Sequence, residues 1–258
     1  MRKLSGAEAR KQRLAKLQGL VESSGALPLR SAAGLLEVST MTIRRDLALP
    51  GAPIACLGGY VVASLPPGAA KYTLDAERDQ HAPNKLLACR RAASLVKDGD
   101  SLFIDCGTTM PHFAEALPPG IALDVVCYSL NIALILSRRP NTQLMVLGGL
   151  YHASSATFLS DEALRYLKRL GLNKAFISAG GVHPARGTSC SNFNEVPIKQ
   201  AAMESATESI LVVDDSKLGR LRPAFFSPLS AFTRIIVGGA PAPECRVQFR
   251  GINLDIAV

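Results

Sequence analysis

Apolar residues recur at helical spacing over residues 7–22, where Leu14, Leu17, Leu20 and Val21 share one face and Lys and Arg occupy the other. Ser23-Ser24-Gly25 ends that segment. A second short pattern follows Pro28, with Ala32, Ala33, Leu35 and Leu36 ahead of Val38-Ser39. A third helix opens on Ser39 as N-cap, continues through Met41-Thr42-Ile43-Arg44-Arg45-Asp46-Leu47, and stops at Pro50-Gly51 and Pro53. Residues 53–62 are β-rich around Gly58-Gly59, the pattern of a hairpin or wing beside three helices. Ser64-Leu65-Pro66-Pro67-Gly68 has the composition of a linker and places the domain boundary near residue 65.

From about Asn84 the pattern changes to short apolar runs separated by amphipathic stretches. The runs cover 101–105, 123–128, 143–147, 174–178, 209–213 and 233–237. Rich in Val, Ile and Leu and apolar on both faces, they predict buried strands of a mostly parallel sheet flanked by helices. Nearly all run into small or polar residues, such as Cys106-Gly107-Thr108-Thr109, Gly148-Gly149, Ala179-Gly180-Gly181 and Asp214-Asp215-Ser216-Lys217. In open α/β sheets ligands bind beyond the carboxyl ends of the strands, so these loops define the expected pocket. The predicted organisation is a helix-turn-helix domain over 1–64, a linker over 65–83 and an α/β domain over 84–258.

Composition sharpens this picture in three ways. The net charge of +8 is concentrated at the start: residues 1–50 hold nine Lys and Arg against four Asp and Glu, while the remainder is close to neutral. A small basic domain ahead of a near-neutral large one is the electrostatic footprint of a nucleic-acid binder. No stretch approaches the roughly 20 apolar residues that span a bilayer, and the N-terminus lacks a signal-like apolar core, so a soluble, cytoplasmic location is expected. Cys56, Cys89, Cys106, Cys127, Cys190 and Cys245 stand singly, without a C-x-x-C pair or a His at metal-ligand spacing. They are expected to be reduced, mostly buried thiols, with neither metal nor cofactor.

A DNA-reading helix needs one apolar face for its neighbours and one face of groups that reach bases and phosphates. Ile43 and Leu47, four apart, supply the first; Ser39, Thr40, Thr42, Arg44 and Arg45 are left for the second. Arginine binds guanine bidentately, and hydroxyls donate to phosphate. In the larger domain, Asp105-Cys106-Gly107-Thr108-Thr109 joins a strand to a helix-compatible segment at 111–117. Its glycine permits close backbone approach, and its threonines and amides suit an anion such as phosphate. Lys217, at the end of another strand, adds a flexible cation at the same sheet edge.

The run Leu35-Leu36-Glu37-Val38-Ser39-Thr40-Met41-Thr42-Ile43-Arg44-Arg45-Asp46-Leu47 resembles the helix-turn-helix signature of the DeoR family of transcriptional repressors. Tyr128-Ser129-Leu130-Asn131, Gly180-Gly181-Val182, Glu195 with Lys199, and Asp214-Asp215-Ser216-Lys217-Leu218-Gly219 are similar to that family's effector domain in order and spacing. The wing departs from the family's basic pattern: Ala52-Pro53-Ile54-Ala55-Cys56-Leu57-Gly58-Gly59-Tyr60 carries no charge to offer phosphate. The resemblance implies a winged helix-turn-helix joined to a domain like that of sugar-phosphate isomerases and coenzyme A transferases. It further implies double-stranded operator DNA, a homo-oligomer and a phosphorylated sugar effector, deoxyribose 5-phosphate, as partners. Carried over by position, the effector pocket comprises Asp105, Gly107, Thr108, Thr109, Asn131, Gly181, Glu195, Lys199 and Lys217. Another phosphorylated sugar fits the same residues, and the sign of regulation is open at this level. An isomerase reading would use Glu195 as base. However, the Asp-rich stretch such enzymes carry is replaced by Ser178-Ala179-Gly180-Gly181-Val182, so no catalytic residue is expected.

Overall fold

A computed structural model describes residues 6–24, 26–48, 54–57, 60–63 and 81–258, which divide between two compact units. In the N-terminal unit, α1 (Gly6–Ser24), β1 (Ala26–Pro28), α2 (Leu29–Leu35) and α3 (Thr40–Leu47) precede the antiparallel pair β2 (Ile54–Leu57) and β3 (Tyr60–Ala63). Most of the helical stripes converge as the periodicity predicts: Leu17, Val21, Leu29, Ala32, Ala33, Ile43 and Leu47 form one core with Ile54 and Val61 of the wing, whereas Leu35, expected on the α2 stripe, is 54% exposed. Ser39 caps α3, its Oγ accepting from the Thr42 amide at 3.0 Å, an interaction worth about 1 kcal/mol. Leu57 opposes Tyr60, and the Gly58-Gly59 turn between them lies outside the described residues.

Two features of this unit are not visible in the periodicity. Pro28 does more than precede α2: it ends β1, an edge strand where a missing amide is tolerated, and β1 pairs with β3 in the order β1-β3-β2. Asp46, only 4% exposed, turns inward from α3. It accepts from Arg13 Nε at 2.8 Å and pairs with Arg13 Nη2 at 2.6 Å, while Arg10 Nη2 donates to its backbone carbonyl at 3.0 Å. Two of the N-terminal arginines therefore fasten α1 to α3 rather than facing solvent.

In the C-terminal unit, α4 (Ala82–Ala93) leads into alternating strands and helices: β4 (Asp100–Ile104), α5 (Met110–Ala116), β5 (Leu123–Cys127), α6 (Leu130–Leu136) and β6 (Thr142–Val146). The hairpin β7 (Leu150–His152) and β8 (Thr157–Leu159), then α7 (Asp161–Leu167), precede β9 (Leu172–Ile177), β10 (Gly181–His183), β11 (Gly187–Cys190) and α8 (Val196–Ser205). The chain finishes with β12 (Ala206–Asp214), β13 (Ala224–Ser227), β14 (Arg234–Gly238), α9 (Pro243–Gln248) and β15 (Leu254–Ala257). The main sheet has seven strands in the order β15-β14-β12-β9-β4-β5-β6, and every pairing in it is parallel. All their carboxyl ends consequently lie along one edge.

Six of the seven strands coincide with the six apolar runs. The seventh, β15, is a short, half-buried edge strand whose Asp255 pairs with Arg91 and Arg234, so it lacks the continuous apolar signature. Residues 64–80, which include most of the expected linker, lie outside the described residues; residues 82 and 83 already belong to α4. Among the described residues no helix is long and apolar enough to cross a membrane.

Candidate functional site

In the N-terminal unit, α3 presents its two faces as its spacing dictates. Ile43 and Leu47 are buried, Ser39, Arg44 and Arg45 are exposed, and Thr40 and Thr42 are half-buried. The Ser39 and Thr42 hydroxyls lie 2.9 Å apart and share one hydrogen bond, so both serve the helix cap as well as facing outward. Met41, 71% exposed, stands three and four residues before the arginines on the same outward side. Hydrophobic patterning hides it, because an apolar residue is assigned to the core by default.

In the C-terminal unit, the segment after β4 is held by a buried cluster. The Asp105 carboxylate, with no solvent exposure, accepts from the Tyr128 hydroxyl at 2.9 Å, from the Ser178 amide at 2.7 Å and from Ser178 Oγ at 2.8 Å. It is also ion-paired with Lys199, whose ammonium donates to the Ser178 carbonyl at 3.1 Å and lies 3.8 Å from Glu195 Oε2. Burial pulls the Lys199 pKa down, but the negative charges of Asp105 and Glu195 more than offset it, so the net shift is upward and the amine stays charged. Burial, reinforced by the same acidic neighbours, raises the Cys106 thiol and the Tyr128 hydroxyl, so both remain protonated. Neither is an activated nucleophile.

This cluster fixes the loop that follows. Gly107 adopts φ +94°, and a Cβ there would stand 3.3 Å from Ser178 Oγ, so both the backbone and the space favour glycine. Thr108 is half-buried and Thr109 buried at the start of α5. Reaching the loop from α4 is Lys85, completely buried, whose Nζ donates to Thr108 Oγ1 at 3.1 Å. Lys85 is missing from the sequence-based set. Its signal was available, since it sits on the helical stripe of Ala88, Cys89 and Ala92, where a lysine is out of place unless it has a polar task.

The remaining expected residues occupy the same sheet edge. Asn131, the second residue of α6 just beyond β5, is half-buried, with no side-chain hydrogen bond among the described residues. Gly181 opens β10, where a Cβ would meet the Arg220 carbonyl at 2.6 Å, so its place is set by the turn that follows Lys217. Lys217 is buried in the 3-10 turn after β12, and the next residue, Leu218, bridges to Val182. Only β9 separates β12 from β4, which puts their ends roughly 10 Å apart, within reach of a lysine side chain and a small ligand. The structure thus joins Asp105, Glu195 and Lys199 directly, joins Thr108 to the unforeseen Lys85, and sets Asn131, Gly181 and Lys217 around them by topology.

Comparison with known proteins follows this division. The model of the DeoR-like helix-turn-helix domain matches residues 13–62, and that of the DeoR C terminal sensor domain matches residues 80–239. The deoxyribose operon repressor of Escherichia coli is 40% identical over 235 residues, covering 91% of this chain and 93% of the relative. The lactose phosphotransferase system repressor of Lactococcus lactis is 30% identical over 246 residues, covering 93% and 95%. Among solved structures, ribose 5-phosphate isomerase A of Methanocaldococcus jannaschii matches with 20% identity over 52% of each chain and a TM-score of 0.38.

Proposed function

This chain belongs to the DeoR family of transcriptional repressors and is a regulator rather than an enzyme, and from there we propose that it holds operator DNA through α3 and releases it when deoxyribose 5-phosphate binds at the carboxyl edge of the sheet. The observation that carries the effector reading is Lys85, a fully buried ammonium placed 3.1 Å from the Thr108 hydroxyl of a glycine-containing loop between strand and helix. A buried cation beside hydroxyls and a helix start favours a phosphate dianion, with charge and donors supplied together.

In this reading Gly107, Thr108 and Thr109 surround the phosphate, with Lys85 and Lys217 as cations. Asn131 offers its uncommitted amide to a sugar hydroxyl. Asp105, Glu195 and Lys199 act behind the loop, since their mutual bonds hold it in place, and Gly181 keeps the Lys217 turn close to β10. On the DNA side, Arg44 and Arg45 read bases and phosphates, Ser39, Thr40 and Thr42 position the helix start, and Met41 offers an apolar surface to a thymine methyl. One such helix covers a half-site, so a symmetric homo-oligomer is the working form.

The test is release of a labelled operator, followed by anisotropy and titrated with deoxyribose 5-phosphate, ribose 5-phosphate and free deoxyribose. Release by deoxyribose 5-phosphate at the lowest concentration supports the reading. Release by free deoxyribose at that same concentration overturns the role of phosphate, and release by a different sugar phosphate alone overturns the assignment of the sugar.

A further inference from the structure

We propose that His81, Asp214 and Asp215 form a binding site for one divalent transition-metal ion. The residues are far apart in the chain, but the start of α4 and the end of β12 bring them together. One ring nitrogen of His81 and one carboxylate oxygen of each aspartate all lie within 4.8 Å of one another. Ligand atoms about 2.0–2.2 Å from a shared ion stand roughly 3–4.4 Å apart, so the group needs little adjustment to close on a metal.

A second, independent observation points to a ligand there. Asp214 has no solvent exposure, and while its Oδ1 accepts from the Ser216 amide at 3.0 Å, its Oδ2 is buried with no hydrogen-bond partner among the described residues. The adjacent Ser216 hydroxyl is likewise buried and unpartnered among the described residues. Among the described residues neither Asp214 nor Asp215 is in an ion pair. Two neighbouring carboxylates, one wholly desolvated and with an idle oxygen, form an arrangement that a bound cation resolves.

The surroundings hold the ligands in place as a metal site requires. Asn84 Nδ2 donates to Asp215 Oδ1 at 2.9 Å and leaves the other carboxylate oxygen for coordination. Gly239, at φ +97°, lets its backbone pass so close that a Cβ would stand 2.9 Å from Asp215 Cγ. His81 takes a left-handed conformation, φ 57°, immediately before α4. One imidazole and two carboxylates, with water in the remaining positions, suit Mn2+ or Zn2+ better than a soft ion that needs thiolate. The ion would clamp the first turn of α4, which carries Lys85, to the end of β12, which leads into Lys217. The site itself does not depend on what those lysines bind.

Full-length protein, freed of metal with a chelator, is titrated with Mn2+ and followed by loss of the free-ion electron paramagnetic resonance signal; Zn2+ is then added as competitor. The expected result is one displaceable ion per chain. His81→Asn, which tolerates the left-handed backbone, and Asp215→Asn should each weaken binding by about a hundredfold or more. Both positions are at least partly exposed, so metal-free thermal midpoints near wild type will show that the variants fold. In wild type alone, saturating ion should raise the midpoint by about 5 °C or more. Absence of saturable binding at millimolar Mn2+ overturns the site, and unchanged affinity in both variants places the ion elsewhere and overturns it equally.

Discussion

Replacing Lys85 by Met isolates the charge that the effector reading depends on. The substitution keeps most of the apolar stem on the buried stripe of α4 and deletes the ammonium that donates to Thr108 Oγ1 at 3.1 Å. A hydrogen bond to a charged group contributes about 1.5–3 kcal/mol, so inducer affinity should fall by roughly ten- to a hundred-and-fifty-fold. With the operator held by α3, as proposed, DNA affinity without inducer should stay at the wild-type value. The assay is anisotropy of a labelled operator at fixed protein, titrated with deoxyribose 5-phosphate, beside a thermal melt that confirms folding. Lys217→Met, run in parallel, should also shift release to higher inducer concentration while leaving operator affinity unchanged. Coincident release curves for wild type and Lys85→Met would refute the reasoning, because a cation placed to hold phosphate cannot be removed without cost to a phosphate ligand.

Arg44→Ala and Arg45→Ala, at exposed positions of α3, should each weaken operator binding by about 1–3 kcal/mol and leave the thermal midpoint unmoved; full operator affinity in the double variant would remove them from the interface. Gly107→Ala forces a side chain into φ +94° beside Ser178 Oγ, at a cost of about 1–2 kcal/mol, and should lower inducer affinity more than operator affinity by the same titration. Asp46→Ala leaves Arg13 without its partner and should destabilise the N-terminal unit by about 1–3 kcal/mol, the arginines' partial exposure limiting the loss, as read from denaturant unfolding. Sedimentation should find an oligomer at micromolar protein; a monomer both with and without operator would count against a paired half-site arrangement.

Local pattern alone determined the three helices of the N-terminal unit, the Ser39 cap, the antiparallel pair β2 and β3, and six of the seven strands of the parallel sheet. These are short-range consequences of periodicity, capping and turn chemistry, each written within a short run of consecutive residues. The inward and outward faces of α3 were legible for the same reason. Tertiary structure decided whatever depends on which distant segments meet. Arg10 and Arg13 look like solvated DNA-facing charges until α1 packs on α3 and they close on Asp46. Lys85 looks like an ordinary lysine until α4 docks against the sheet beside Thr108. Asp105 and Lys199 were expected in the effector pocket, and it is strand order that brings them together as a buried pair with Ser178 and Tyr128. β15 escaped notice because an edge strand is half-exposed and is held partly by Arg91 and Arg234 on Asp255, which no run of apolar residues announces. A charged or polar side chain has no periodicity to reveal its partner, and its role is set by the desolvation and neighbours it acquires when the chain closes on itself.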